Sequence, residues 1–508
     1  MTGGRGLSRR SFLIGSAGAA AAAALQPWRF PLAGARTLLP PTGAGAPFDH
    51  VVLLMMENRT FDHLLGWLPG ADGRQAGLTF ADAEGSVYPT YELDPDFQGC
   101  SYDDPDHSFS GGLTQLDGGK GGGFLKTAKP GDTFPIGYYT AKSRPVMSAL
   151  ATSYTVCDNY FCAVLGQTFP NRIYQQAART DRDKNTFDQS QLLTIWDRLN
   201  DAGLDGREYF HDLPTLGLWG GKYASQLRPI AQLQVDAAAG DLAHYTLISP
   251  AALGEGQGTS NDDHPHGDLR AGDELFSTVY HALRNGPKWD KTVFIINYDE
   301  WGGFYDHVIP PRADADDSVV PGSQFDFHLR GFRVPCLVIS PFAPAAVAHA
   351  GPFDHASVLN MVEWRFGLQP LAARDAAARN LAEVLDLTSP PRTDAPDIPV
   401  LLGQPRVACG PQSETGNPPQ PISLGPDVPE PRTPPGNPAG PAADPAATGA
   451  TPGTRLARTG LDLPLEAVGG GMLLGAWSLY HLSRTGRDEP LPLQEVPAEV
   501  DPAAPALP

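Results

Sequence analysis

The sequence predicts an α/β fold, in which helices cover both faces of a mostly parallel β-sheet. Three apolar runs carry this prediction, because none of them alternates between apolar and polar residues: 51–56, 293–296 and 334–339. Continuous runs of this length are typical of strands buried on both faces, as in parallel sheets. Other stretches place apolar residues three and four positions apart, which is the helical spacing: 192–202, 269–283 and 357–366. Strands that alternate with helices indicate a layered α/β domain.

Length and charge narrow the class of protein. The 508 residues are 41% hydrophobic, which is enough for a sizeable core. With 37 Lys+Arg against 57 Asp+Glu the formal net charge is −20, whereas nucleic-acid binders carry basic surfaces, so we exclude nucleic acid as a partner. The proline-rich stretch 411–455 has no aromatic residue and cannot bury enough apolar surface to repay its ordering entropy. The sequence therefore predicts one folded domain with disordered or processed ends.

The N-terminus has the pattern of an export signal. Arg9 and Arg10 precede an alanine-rich apolar run to Leu25, and small residues follow at 33–35. A twin arginine, a weakly apolar segment and an A-x-A site are typical of a twin-arginine signal peptide, here residues 1–35. A transmembrane anchor is the alternative, but the run is short and glycine-containing. We expect export by the twin-arginine machinery and an extracytoplasmic mature protein.

The cysteines indicate no metal finger. The five cysteines lack C-x-x-C or Cys/His spacing, so the sequence does not predict a zinc finger. Export permits disulfides, but an odd number leaves at least one thiol unpaired within the chain. The sequence leaves the pairing open among Cys100, Cys157, Cys162, Cys336 and Cys409.

The C-terminus resembles a sortase sorting signal. The pentapeptide L-A-R-T-G at 456–460 precedes a moderately apolar run, 461–482, and then Arg484 and Arg487. The resemblance implies cleavage after Thr459 and attachment to the cell wall through a Pro/Gly/Ala-rich stalk. The alternative is a proline-rich linker followed by a weak membrane-associated helix.

Polar clusters follow the first two predicted strands. Glu57 and Asn58 come directly after the first strand, and Asp299 and Glu300 follow the second. In open parallel sheets, ligands bind outside the carboxyl ends of the strands, so we expect the two clusters to form one site. Three carboxylates and an amide oxygen suit a divalent ion. The alternative is a set of ordinary solvated loop acids.

Histidines occur in acid-rich segments of the same chain. His107 lies in D-D-P-D-H-S, His264 in N-D-D-H-P-H, and His307 directly after Asp306. One such histidine is more often structural than catalytic. Together with the acid pairs, they favour an acid–base or metal site.

Four motifs in sequence order give the chain a family resemblance. They are M-E-N-R-T-F-D-H at 56–63, Q-T-F-P-N-R at 167–172, Y-D-E-W-G-G-F-Y-D-H-V-I-P-P at 298–311, and the D-H-A-S, E-W-R-F-G-L and R-D blocks within 354–375. They resemble the signatures of the bacterial phosphoesterase family that contains phosphatidylcholine-type phospholipases C and a group of acid phosphatases. The match runs from about residue 47 to residue 390.

The resemblance implies a fold and a set of site residues. The family is related in fold to alkaline phosphatase, a doubly wound sheet with the site at the strand ends. The implied ion ligands are Glu57, Asn58, Asp299 and Glu300, and the ion could be Ca, Mg, Mn or Zn. The implied nucleophile is Thr168. The implied histidines are His107 and His264 by position, His211 by spacing, and His307 from the last long motif.

The implied reaction is hydrolysis of a phosphate ester through phosphothreonine. Thr168, where the acid phosphatase branch has Ser, favours a phospholipase C, and the substrate would be a phospholipid or a small phosphoester. An acid phosphatase is the alternative, because no β-rich module follows the domain, and a catalytically inactive surface binding protein is the second. The predicted organisation is signal peptide 1–35, catalytic domain 47–390, disordered stalk 403–455, sorting signal or weak hydrophobic helix 456–487 and disordered tail 488–508.

Overall fold

The fold is built on one large sheet and two small ones. The computed structural model describes residues 38–392, 395–404, 406–411 and 413–422. Within them the strands are β1 His50–Met56, β2 Thr79–Ala81, β3 Val87–Pro89, β4 Tyr91–Glu92, β5 Gly137–Tyr138, β6 Thr155–Cys157, β7 Gly206–Phe210, β8 Leu227–Pro229, β9 Tyr245–Ser249, β10 Thr292–Tyr298, β11 Cys336–Ile339 and β12 Ala346–Ala348.

The large sheet confirms the predicted mostly parallel arrangement. Its strand order is β12-β6-β11-β10-β1-β9-β7-β8. β1 lies near the centre and is parallel to β10 on one side and to β9 on the other. Every residue of β1 and β10 is buried. Because successive strand residues point to opposite faces, both faces of the sheet are covered.

The third predicted strand runs in the opposite direction. β11 is antiparallel to β10 and to β6, and it begins only at Cys336 rather than at residue 334. It lies between two strands and is buried on both faces. A continuous apolar run therefore reports burial here, and not the direction of the strand.

The predicted helices are present, with ends set by capping residues. Thr194 accepts a hydrogen bond from the amide of Asp197, so the first predicted helix begins at Ile195 and not at residue 192. The α-helices of the described residues are α1 Phe61–Leu65, α2 Phe109–Leu116, α3 Pro145–Ser153, α4 Thr168–Ala177, α5 Ile195–Asp201, α6 Ala231–Ala239, α7 Leu269–Asn285, α8 His355–Phe366 and α9 Ala373–Ala377.

The helices form two packed groups. α7 contacts α3 and α6, while α8 contacts α4 and α9. α4 carries the Q-T-F-P-N-R motif, so its contact with α8 fixes that motif against the body of the domain. No helix in the described part of the chain has the length and apolar character needed to span a bilayer.

The described residues include the start of the predicted stalk but not the other predicted terminal segments. The predicted signal peptide, the sorting signal and the tail lie outside the described residues, and so does the stalk beyond residue 422. The first part of the predicted stalk is held against the domain. Cys409 forms a disulfide with Cys100, and the amide of Ile422 donates to the carbonyl of Val87 at 2.8 Å. Ordered structure therefore continues past residue 403. Cys157, Cys162 and Cys336 are buried free thiols.

Candidate active site

The two acidic clusters meet at the carboxyl end of the central strands. The parallel register pairs Met56 with Tyr298, so the residues that follow them emerge side by side. The amide of Asn58 donates to Asp299 Oδ1 at 3.3 Å. A Cβ on Gly302 would lie 2.2 Å from the Asn58 carbonyl oxygen, so this close approach requires glycine. The structure thus brings together Glu57, Asn58, Asp299 and Glu300, all of them buried.

These carboxylates carry more negative charge than their surroundings neutralise. Burial raises the pKa of Asp299 to about 7, and Glu57 adds to the effect while Arg172 opposes it. Burial likewise raises the pKa of Glu300 to about 8, against the influence of His107. A buried carboxylate with a raised pKa lacks a full counter-charge. The negative charge of the site is therefore incompletely neutralised, and a bound cation would neutralise more of it.

Two oxygen atoms of this cluster are free to bind a divalent ion. Asn58 Oδ1 and Glu300 Oε1 are buried and have no hydrogen-bond partner among the described residues. Buried polar atoms are nearly always paired, so unpartnered acceptors indicate a missing electropositive group. Amide and carboxylate oxygens are hard donors that suit calcium, magnesium or manganese.

Thr168 lies directly beside these carboxylates. Its Oγ1 donates to Glu57 Oε1 at 3.0 Å, and the side chain is buried. Thr168 is the first residue of α4, where the helix dipole favours an anion such as a phosphoryl group. The Asn171 amide fixes this turn: its Oδ1 accepts from the Val164 amide and its Nδ2 donates to the Gly166 carbonyl.

Arg172 is a site residue that the sequence reasoning missed. Its Nε donates to Asp299 Oδ2 at 2.9 Å and its Nη2 donates to Glu57 Oε2 at 3.1 Å. Residues four apart share one face of a helix, so the position of Arg172 after Thr168 was the available signal. The guanidinium neutralises part of the charge and links the ends of β1 and β10.

His107 faces the same carboxylates. Its Nδ1 lies 2.8 Å from the Pro105 carbonyl oxygen. Because that oxygen can only accept, Nδ1 carries a hydrogen atom. The other ring nitrogen, Nε2, lies 3.8 Å from Glu300 Oε1. Burial alone would lower the pKa of His107, but Glu300 and Asp104 outweigh it and raise the pKa. The ring of His264 stands almost perpendicular to that of His107, with the centroids 5.9 Å apart.

His264 is surrounded by acids that the sequence did not single out. Its Nδ1 lies 3.2 Å from Glu255 Oε2, and its Nε2 lies 4.0 Å from Asp104 Oδ2. Burial alone would lower the pKa of His264, but Glu255 and Asp104 raise it well above its usual value. Asp104 belongs to the acidic run before His107 and could have been suspected. Glu255 stands in no motif, and only the fold brings it to His264.

Comparison with known proteins identifies the family. Residues 48–369 match the model of the Phosphoesterase family. The chain belongs to this family. It is 32% identical over 395 residues to non-specific phospholipase C6 of Arabidopsis thaliana, covering 69% of this chain and 74% of that protein. It is 30% identical over 478 residues to phospholipase C A of Mycobacterium tuberculosis, covering 79% and 90%. The protein is therefore a hydrolase that acts on phosphoric ester bonds.

Among solved structures, the chain matches a protein in the alkaline phosphatase superfamily from Vibrio parahaemolyticus. The sequence identity is 12%, and the match covers 69% of this chain and 72% of that chain, with a TM-score of 0.34.

His211 lies at the same edge of the phosphoesterase sheet, away from the central pair. It follows β7, whose Phe210 pairs with Ser249 of β9, and β9 in turn neighbours β1. Its side chain is exposed and its backbone amide donates to the Ser249 carbonyl at 3.2 Å. It lies outside the hydrogen-bonded group around Thr168.

His307 belongs to a different hydrogen-bonded network from Thr168. Its Nδ1 lies 2.5 Å from Asp62 Oδ2, and its Nε2 lies 3.1 Å from Asp72 Oδ1. Arg333 donates to Asp306 at 2.9 Å and to Asp62 at 3.2 Å, so a cation already occupies this acid cluster. The network joins the loop after β10 to α1. Its contacts are those of a structural ion-pair cluster.

His307 should make the stability of this phosphoesterase depend on alkaline pH. Burial opposes protonation, but hydrogen bonds to Asp62 and Asp72 raise its pKa to about 9. A raised pKa contributes stability that is full below about pH 6.5, the unfolded value, and is lost as the pH rises through about 9. We expect the free energy of unfolding to fall by about 1–2 kcal/mol over this range, since exposed Asp72 is screened. In His307→Gln that slope should flatten in denaturant titrations, and an unchanged slope would contradict the assignment.

Proposed function

We propose that this phosphoesterase is a phospholipase C that cleaves its substrate through a phosphothreonine at Thr168. The observation that carries the proposal is the 3.0 Å hydrogen bond from Thr168 Oγ1 to Glu57, made at a helix N-terminus inside a buried acidic site. An alcohol is a poor nucleophile unless an adjacent group takes its proton or stabilises the negative charge of the alkoxide. The names of the relatives, both phospholipases C, support a phospholipid substrate.

The residues divide the chemistry between them. Thr168 Oγ1 passes its proton to Glu57 Oε1 and forms a bond to phosphorus while the bond from phosphorus to the leaving oxygen breaks. Protonated His264 gives its Nε2 proton to that leaving oxygen, which departs as an alcohol. Water then attacks phosphorus and gives a proton to the neutral His264, while the bond from phosphorus to Thr168 Oγ1 breaks and Oγ1 recovers its proton from Glu57. His107 and the positive end of the α4 dipole would stabilise the charge on the phosphoryl oxygens.

A divalent ion would complete the site. Glu57, Asn58, Asp299 and Glu300 would hold it, and it would supply Lewis-acid stabilisation of the developing negative charge. Arg172 keeps Glu57 and Asp299 in place, because it donates to both.

Removing the ion should stop turnover. We expect hydrolysis of p-nitrophenyl phosphorylcholine to fall by about 10²-fold or more in chelator and to return when a divalent ion is added. The same measurement with p-nitrophenyl phosphate separates the functions. Turnover of the monoester alone, at acid pH, would identify an acid phosphatase instead. Hydrolysis of neither ester would favour a binding protein that keeps the fold without the chemistry.

A further inference from the structure

We infer that Glu255 is a positioning residue that holds the His264 imidazole with Nε2 directed toward the leaving oxygen. The inference rests on the proposed function, because it assigns Glu255 a part in the step in which His264 acts as the acid. It concerns specificity for the leaving group as well as rate, since only a basic leaving oxygen needs a proton.

Contacts on one side of the imidazole define its orientation. His264 Nδ1 lies 3.2 Å from Glu255 Oε2 and also contacts the Pro265 carbonyl oxygen. Both neighbours are acceptors, so Nδ1 must carry a hydrogen atom. The opposite nitrogen, Nε2, then faces Asp104 and the ring of His107. This is the side on which the phosphoester is expected, because His107 also faces Glu300.

The turn that carries Glu255 is anchored through its backbone. It begins a short 3₁₀ turn, Glu255–Gln257, between Gly254 and Gly258, which both adopt left-handed backbone angles. The Gly256 carbonyl accepts a hydrogen bond from the Cys409 amide at 2.8 Å. A carboxylate on an anchored turn can orient an imidazole with little loss of conformational freedom.

The same anchor reaches the second histidine. Cys409 is bonded to Cys100, which precedes Asp104 and His107 in one loop. The Gln98 side chain donates to the Val407 carbonyl at 2.8 Å, a second link between that loop and the C-terminal segment. The segment around Cys409 thus ties together the loops that present His107 and Glu255.

Other charged groups also face His264, but from different directions. Asp104 lies toward Nε2, and Asp262 Oδ1 accepts from the backbone amide of His264 at 3.1 Å. Glu57 is near enough to favour the charged imidazole. Among the described residues, Glu255 is the carboxylate that contacts Nδ1.

Glu255 keeps its negative charge throughout the proposed proton transfer. The Nε2 proton moves to the leaving oxygen as its bond to phosphorus breaks, and the imidazole is left neutral with its Nδ1 hydrogen in place. Glu255 stays ionised throughout and transfers no proton, as the acid does in other acid–histidine pairs. Its removal should therefore weaken protonation of a basic alkoxide and spare a leaving group that needs no proton, such as p-nitrophenolate.

The test compares two leaving groups in Glu255→Gln. We expect kcat/KM for phosphatidylcholine in mixed micelles to fall about 10–100-fold, less than the roughly 10²–10⁴-fold that a general acid supplies, because His264 is still present, while kcat/KM for p-nitrophenyl phosphorylcholine falls by less than about threefold. The alkaline limb of the lipid pH profile should move to lower pH. Glu84→Gln, at an exposed position on another loop, is the matched control and should leave both rates unchanged.

Two further measurements separate positioning from structure and from ion binding. In a His264→Ala background, Glu255→Gln should cause no additional loss, whereas a merely structural role would add to it. Metal analysis of Glu255→Gln should match the wild type. Equal losses on both esters, or loss of a bound ion, would overturn the inference; the second outcome would assign Glu255, Asp104 and the histidines to a cation site. A wild-type protein inert toward both esters would refute the proposed function, and the inference with it.

Discussion

Replacing Thr168 by alanine should abolish turnover while the fold and the ion content remain. The substitution removes the only atom that can form the phosphothreonine, so we expect kcat to fall by about 10⁴-fold or more. It also leaves Glu57 Oε1 without its donor, which should lower the free energy of unfolding by about 1–3 kcal/mol. Rates with both p-nitrophenyl esters, thermal unfolding and metal analysis of the purified variant check the three parts of this expectation.

Thr168→Ser provides the matched control. Serine keeps the hydroxyl at the first residue of α4 and should retain the covalent step, at a reduced rate because its side chain is less restricted. Acid quenching during turnover should yield a phosphorylated peptide that includes position 168 in the wild type and in Thr168→Ser, and none in Thr168→Ala. Near-native activity of Thr168→Ala, or a phosphorylated peptide elsewhere, would contradict the assignment of the nucleophile.

The parts of the site that follow strand ends could be predicted from the sequence. Apolar runs locate β1 and β10, and parallel register alone then places Glu57 next to Asp299. This prediction needs only the rule that the carboxyl ends of parallel strands share one edge of a sheet. Errors in the predicted ends of other elements, such as a start of α5 at residue 192 instead of Ile195, therefore do not affect this prediction.

The parts that depend on tertiary neighbours could not be predicted. His264 and His307 each follow an aspartate in the sequence, but Arg333 neutralises the acids around His307, and Glu255 and Asp104 surround His264. The distinction depends on residues far away in the chain. The direction of β11 could not be predicted for a similar reason. A strand in the middle of a sheet is buried on both faces whether it is parallel or antiparallel, so its apolar run is the same in both cases.

Removal of the Arg172 charge should destabilise the protein, because Glu57 and Asp299 would then repel each other. Arg172 is largely buried and donates to Glu57 and Asp299. In Arg172→Met these carboxylates would face each other without a counter-charge, and breaking a buried ion pair from one side costs about 3–5 kcal/mol. We expect a loss of that size in the free energy of unfolding when the protein is kept in chelator, measured by guanidinium titration.

A divalent ion should restore much of this loss, because the ion and the Arg172 guanidinium neutralise the same carboxylates. An ion that binds only the folded state adds stability in proportion to its affinity. Removing the competing positive charge should raise that affinity, so the gain in stability on adding ion should be larger in Arg172→Met than in the wild type. Arg172→Lys keeps the charge but loses the two-pronged geometry, and should lie between them. Equal stabilisation by the ion in all three proteins would show that Arg172 and the ion site are independent, and Glu57 and Asp299 would then be structural partners of Arg172 rather than ligands.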